Sequence, residues 1–482
     1  MSPALILTSV LAYSILLFIV VWITSRNANN ESYFIGNKSS RWYVVAYGMI
    51  GASLSGVTFM SVPGAVFTTQ FSYMQVVLGY LVGYACIGMI LMPVYYKLNL
   101  TSIYTYLEQR FGNVSYKTGA FFFIFSRVIG ASFRVYIVVN VLQTFVLDKM
   151  GVPFWLTVLI FIILILLYTY EGGVKTIVWT DTLQTTFMLL ALVFSVVMIS
   201  KQLGLSFGDL FAKITASGFS DVIVHDFKSP NYFWKNFLGG AAIAIAMTGL
   251  DQEMMQKNLS CKNIGEAKKN MLTFSLTLVL VNLLFLVLGS ILCFYAAQKG
   301  ITIDPKHTDD LFPNVALNFL GTLPALIFIL GLISAAYPSA DGALTALTTV
   351  FCYDFLGIQK NENINDKQRK RIRYTVHIGF AIVLLLTIVS FRLINNDAVI
   401  RNVFRAATYT YGPLLGLYSF GFFTKWKVKD KWVWLACIIS PVACYFLNDL
   451  IPIWFNGYKL GFELLILNGM ITFTGLWLLR RN

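Results

Sequence analysis

Apolar positions along this chain neither alternate nor fall on one face of short helices; they continue for the thickness of a bilayer and are then cut by short polar stretches. Runs of roughly 18 residues or more, enough to cross about 30 Å of hydrocarbon, occur near 3–23, 43–66, 74–98, 117–145, 153–170, 174–201, 232–256, 271–297, 324–352, 374–394, 403–424, 432–450 and 460–479. The pattern predicts an all-α polytopic membrane protein of about 13 transmembrane helices with no sizeable soluble domain between them.

Three of these runs carry residues that a continuous spanning helix does not need. Residues 48–64, GMIGASLSGVTFMSVPG, crowd Gly51, Ser53, Ser55, Gly56, Thr58, Ser61, Pro63 and Gly64 into the second run. That composition predicts a helix interrupted inside the bilayer, and free backbone groups at that depth are tolerated only around a cavity or ligand. An inverted repeat would place a second broken helix an odd number of spans later, and the seventh run meets this condition with Gly239, Gly240, Thr248 and Gly249. Paired interruptions of this kind point to the midplane site of a secondary transporter, although small residues also serve helix packing. The ninth run holds Pro338, Ser339, Asp341, Thr345, Thr348 and Thr349. Pro338 has no N–H, which frees the Ser334 carbonyl and loosens the turn around Ala335. Oxygen donors there suit a small hard cation; the competing reading is a kinked helix whose hydroxyls bond back to their own turn.

Composition narrows the class. With 57% hydrophobic and 12% charged residues, the chain is excluded from the ordinary soluble proteins. The net charge of +14 does not indicate nucleic acid, because roughly 23 Lys and Arg fall on the side of residues 24–42 and roughly 8 on the other, which predicts a cytoplasmic first set. The N-terminus is then outside and the C-terminus cytoplasmic, in a cell (plasma) membrane. Lys257, Lys262, Lys268 and Lys269, like Lys367, Arg369, Lys370, Arg371 and Arg373, read as topology determinants touching anionic lipid. The first run lacks a basic n-region and a cleavage site and reads as a retained helix. Six scattered cysteines form no C-x-x-C pair and suggest neither disulfides nor a metal centre. Triplets at Asn30, Asn99 and Asn258 fall on inside loops, where glycosylation is not expected.

Four segments together resemble the sodium:solute symporter family: Ser32–Gly36 (SYFIG), Thr101–Gly112 (TSIYTYLEQRFG), Glu171–Gln184 (EGGVKTIVWTDTLQ) and Ser334–Thr349. The resemblance covers nearly the whole chain. It implies a leucine-transporter-like 5+5 inverted-repeat core, with residues 1–30 a peripheral helix, 43–201 the first repeat, 232–424 the second, and 425–482 two peripheral helices. It implies sodium as the coupling ion, held by the carbonyls of Gly51, Leu54 and Ala335 and the hydroxyl of Ser339. Where relatives often have two adjacent hydroxyl residues, this chain has Pro338 before Ser339, and one side-chain ligand is missing. A second sodium in some members sits near the acid matching Asp181 and hydroxyls whose positions here are Asp341 and Gly342. Asp181 reads either as that ligand or as a structural acid near the cytoplasmic mouth.

Arg127 and Arg134 lie seven residues apart on one helical face. The resemblance places that face on the substrate pocket, where a guanidinium fork suits a carboxylate; the alternative is pairing with internal acids. Ser55, Thr58 and Gln75 match substrate-contacting positions of relatives. The resulting expectation is a sodium-coupled symporter, acting as a monomer in the bilayer on a small organic solute. A carboxylate such as sialic acid or a monocarboxylate leads, with a sugar or polyol as the alternative. A sensor is disfavoured because no kinase domain follows the last span, and an enzyme because no H-E-x-x-H, P-loop or nucleophile elbow is present.

Overall fold

The computed structural model describes residues 3–25, 33–34, 36–358, 363–394 and 399–481. Ser32 and Ile35 of the SYFIG segment and Asn30 lie outside the described residues, as does the side chain of Glu171. Among the described residues, eight helices are long and apolar enough to cross a membrane, and shorter apolar helices such as Phe154–Thr169, Gly412–Phe423 and Leu464–Leu478 accompany them. The only strands there are a two-residue ladder pairing Lys427–Val428 with Arg480–Arg481.

In chain order, α1 is Pro3–Ser25, α2 Trp42–Ser53, α3 Gly56–Thr69, α4 Tyr73–Cys86, α5 Met92–Lys97, α6 Thr105–Arg110 and α7 Asn113–Leu142. Then come α8 Phe154–Gln202, α9 Phe207–Ala216, α10 Phe233–Ala244, α11 Gln252–Leu259, α12 Ile264–Lys299 and α13 Leu311–Asn318. The chain ends with α14 Thr322–Val350, α15 Asp366–Ile394, α16 Val399–Thr410, α17 Gly412–Phe423, α18 Val433–Trp454 and α19 Leu464–Leu478. The pairs α2/α3 and α10/α11 are the interrupted second and seventh runs.

Helix α8 spans 49 residues, about 70 Å at 1.5 Å per residue and too long for one passage. It is two passages joined at Gly173, whose φ of 55° and ψ of −155° are non-helical. A side chain at that position would collide with the backbone of Tyr33. The Gly172–Gly173 pair of the sequence motif therefore turns the chain and seats it against the segment after α1.

Burial ranks the helices by depth. In the apolar window of α14, 78% of residues are buried, against 28% in α1 and 22% in both α15 and α18. Helix α14 is thus the centre of the bundle, packed on α7 and on both passages of α8, and α1, α15 and α18 turn most of their apolar surface to lipid. Helices α4 and α10 approach backbone to backbone: a Cβ at Gly79 would strike the Phe237 carbonyl, and one at Gly240 the Val76 carbonyl. Small residues allow this because, without a hydrophobic force between helices in lipid, close packing is what holds them.

Two charges read as lipid-facing are instead interior. Lys257 is 2% exposed and Arg373 3%; the Arg373 guanidinium lies over the Tyr33 ring, 4.0 Å from its centroid. Each has a partner supplied by a segment remote in sequence, which a reading by loop position does not see.

Gly240→Val is expected to destabilise the α4/α10 contact by about 1–3 kcal/mol, the usual cost of overpacking. Gly379→Ala, where nothing lies within 4 Å of the added carbon, should be neutral. Size-exclusion profiles of the detergent-solubilised protein after heating compare the two directly.

Candidate functional site

Leu54 has φ −85° and ψ 60° and ends α2, while Ser55, at φ −58° and ψ 176°, is extended and precedes α3. Across this break Leu54 N–H donates to the Ile50 carbonyl at 2.8 Å and Phe59 N–H to the Ser55 carbonyl at 3.1 Å. Among the described residues, no group donates to the carbonyls of Gly51 or Leu54. Gly51 N–H donates to Thr185 Oγ1 at 3.1 Å, and a side chain at Gly51 would overlap Thr185, so the end of α2 is pressed against the second passage of α8.

Helix α14 runs beside both halves of the break, with Gly331 against the Phe59 ring. It passes through Pro338 without interruption. Thr348 and Thr349 bond back to the Leu344 and Thr345 carbonyls at 2.6 and 2.7 Å, as in the kinked-helix reading. Among the described residues, the buried hydroxyl of Ser339 has no hydrogen-bond partner. Ser339 is thus a buried oxygen donor on a helix beside two carbonyls that accept from no described group. Buried polar groups in this condition call for a ligand.

The second break is closed by protein. After the π turn Ile245–Gly249 the chain is extended at Asp251. Tyr95 Oη donates to the Gly249 carbonyl at 3.0 Å and Tyr104 Oη to that of Leu250 at 2.8 Å. Gln252 accepts from Ile103 N–H at 2.9 Å and donates to the Thr101 carbonyl at 2.7 Å. The Thr101–Gly112 motif is therefore a clamp on the second interruption. Asp251 caps α11, accepting from the N–H groups of Glu253 and Met254.

A buried network of charges radiates from this break. Arg127 Nη1 is 3.5 Å from Asp251 Oδ2 and Nη2 pairs with Glu253 Oε2. Lys257 Nζ is 3.1 Å from Glu253 Oε1 and 2.7 Å from Asp181 Oδ2. Tyr411 donates to Asp251 Oδ2 at 2.9 Å. Asp341 accepts from Tyr168 Oη at 2.9 Å and from the Gly342 N–H. Asp181 and Asp341, the two acids expected at a second sodium, are thus both engaged by protein groups.

Between the breaks lies a narrow cavity of about 70 Å³. Ser53, Leu54, Ser55 and Thr58 line it from the first break and Thr248 from the second. Arg127 and Arg134 face it from α7. Arg127 is consumed by its two acids, whereas Arg134 makes no ion pair or hydrogen bond among the described residues. Gln75 is not part of the lining; its amide donates weakly, at 3.4 Å, to the Asn231 carbonyl. Sequence reasoning missed Tyr73, Tyr80 and Tyr84 on α4 and Asn282 on α12, whose side-chain oxygen has no partner among the described residues. The tyrosine spacing of seven and four marks one face of α4.

Two broken helices facing a cavity with polar groups in its lining, in a bundle of apolar helices, are the arrangement of a membrane carrier. The chain belongs to the sodium:solute symporter family, whose profile matches residues 33–431. The sodium/sialic acid symporter SiaT of Proteus mirabilis is 22% identical over 474 residues, covering 95% of this chain and 92% of that protein. NanT of Aliivibrio fischeri, also a sodium/sialic acid symporter, is 23% identical over 422 residues, covering 84% and 80%. The human sodium/iodide cotransporter is 24% identical over 410 residues, covering 82% and 61%. Among solved structures, a substrate-bound outward-open Na+-coupled sialic acid symporter matches with a TM-score of 0.84 at 19% identity, covering 98% of this chain and 97% of that one. Mhp1, a nucleobase-cation-symport-1 transporter, matches with 0.57 at 12% identity over 93% of each chain. These likenesses establish a leucine-transporter-like fold.

Arg127→Ala should cost about 3–5 kcal/mol of stability, because it breaks a buried ion pair with each of two carboxylates. Loss of monodisperse protein on solubilisation is the expected reading. A well-folded variant deficient only in transport would instead make Arg127 a substrate ligand.

Proposed function

We propose that this protein is a sodium-coupled symporter importing a small carboxylate, with sialic acid and short monocarboxylates as the leading candidates. The observation that carries the reading is Arg134, a cation facing the cavity with no protein partner among the described residues. A guanidinium in that position matches a carboxylate through paired N–H donors, and Ser55 and Thr58 beside it supply hydroxyls to the rest of the solute. The names of the relatives, which include sialic acid, iodide and monocarboxylate carriers, are consistent with an anion.

Sodium belongs, in this reading, at the first break, ligated by the Gly51, Leu54 and Ala335 carbonyls and Ser339 Oγ. Binding there ties α2 and α3 to α14 and stabilises the arrangement in which the cavity takes up solute. By reciprocity the solute raises sodium affinity by the same factor. Residues 43–201 and 232–424 form the two repeats that rock against each other, and residues 1–30 and 425–482 are peripheral. The basic-residue asymmetry supports a cytoplasmic C-terminus, and one chain holds both breaks and the cavity, which supports action as a monomer.

Uptake into proteoliposomes, with and without an inward sodium gradient, tests this on sialic acid, short monocarboxylates, pantothenate, proline, glucose and inositol. Gradient-driven accumulation of an acid is expected. Accumulation of a neutral sugar alone would contradict the role given to Arg134, and equal uptake without sodium would contradict coupling. Arg134→Ala should raise KM for the acid by about ten- to a hundredfold, the value of a charge-assisted hydrogen bond, and leave sodium activation intact. Ser339→Ala should raise the sodium concentration for half-activation by about tenfold, one lost ligand bond, with little change in solute KM at saturating sodium.

A further inference from the structure

The Asp181 pocket is the place where a second coupling ion would be sought, and its residues do not fit one. Lys257 Nζ lies 2.7 Å from Asp181 Oδ2 and 3.1 Å from Glu253 Oε1, with a side chain only 3% exposed. The residue after Asp341 is Gly342, which brings no hydroxyl, and the Glu253 carboxylate fills the place a side chain there would take. Asp341 itself is occupied with the Tyr168 hydroxyl and the Gly342 N–H.

We infer that the Lys257 ammonium is a resident cation that takes the place of a second sodium ion, so that the carrier binds and couples to one sodium, at the α2/α3 break. The inference rests on the symport reading above. An ammonium is a compact single positive charge that donates to carboxylate oxygens, so it meets the same electrostatic demand as a sodium ion placed between Asp181 and Glu253. Unlike sodium it is tethered to α11 one turn after Glu253, at i+4, the spacing that brings the two side chains together. A sodium ion entering the pocket would face a like charge, with Asp181 Oδ2 and Glu253 Oε1 already paired to the ammonium. The ammonium stays on α11 throughout the cycle, whereas an ion would leave at each turnover.

Lys257→Met keeps an unbranched apolar stem and removes the ammonium, leaving Asp181 and Glu253 a space of ionic size. Saturation binding of radioactive sodium to the purified detergent-solubilised protein reads the count. The wild type is expected to bind one ion per chain, and Ser339→Ala to weaken that ion at least tenfold. Lys257→Met should bind two ions, and Lys257→Met/Ser339→Ala should retain one at wild-type strength. Lys257→Met/Asp181→Asn, which removes both members of the pair and so spares the fold the cost of a stranded charge, should return to one. Two ions in the wild type, or a folded Lys257→Met that binds a single ion, would overturn the inference while leaving sodium coupling in place. A wild type that binds no sodium at all would overturn the symport reading and this inference together.

Discussion

A backbone carbonyl inside a bilayer needs a partner, and the architecture of this protein follows from how its two broken helices meet that need. At the α10/α11 break the carbonyls of Gly249 and Leu250 accept from Tyr95 and Tyr104. At the α2/α3 break the carbonyls of Gly51 and Leu54 accept from no described group, and the Ser339 hydroxyl on the neighbouring helix is equally unpartnered. One interruption is satisfied by protein groups; the other presents oxygens without a described donor, which in the proposed function ligate sodium. Since unsatisfied polar groups are costly in the absence of water, the second arrangement is stable in proportion to what binds there.

The α10/α11 break carries its own consequence. Asp251 caps α11 and at the same time receives Arg127 and Tyr411, so α7, α11 and α16–α17 meet at one carboxylate. Glu253 passes the chain of charges to Lys257 and so to Asp181 on α8. Buried pairs of this kind add little net stability but are expensive to break, which makes them suited to holding the geometry of a moving carrier. With Arg127 committed to that frame, Arg134 is, among the described residues lining the cavity, the cation left for it. The two arginines share a helix face but not a task.

Much of this was legible in the chain. The crowding of Gly51, Ser53, Ser55 and Gly56 predicts the first break, Gly249 the second, and the gap between the apolar runs at 153–170 and 174–201 falls at Gly173, where α8 turns. These are local signals, because a helix is interrupted by the residues at the interruption. Pairings across long sequence distance were not legible. Lys257 and Asp181 are 76 residues apart in sequence, and Lys257 follows an apolar run in a basic cluster, so position alone assigned it to the membrane surface. The same holds for Arg373, whose partner Tyr33 lies on the far side of the chain, and for Gln75, which fits a substrate position by resemblance yet sits outside the cavity lining. The tyrosines of α4 carried a readable spacing, but aromatic residues at helical intervals serve packing so often that spacing does not single them out.

The central claim is that sodium is held at the α2/α3 break against α14. A crystal structure of the protein in thallium, a heavy monovalent surrogate whose anomalous signal locates it, tests that claim most directly. The account predicts a peak in coordinating contact with the Gly51 and Leu54 carbonyls and Ser339 Oγ that disappears in excess sodium. A sodium-sensitive peak elsewhere, with none at the break, would contradict it.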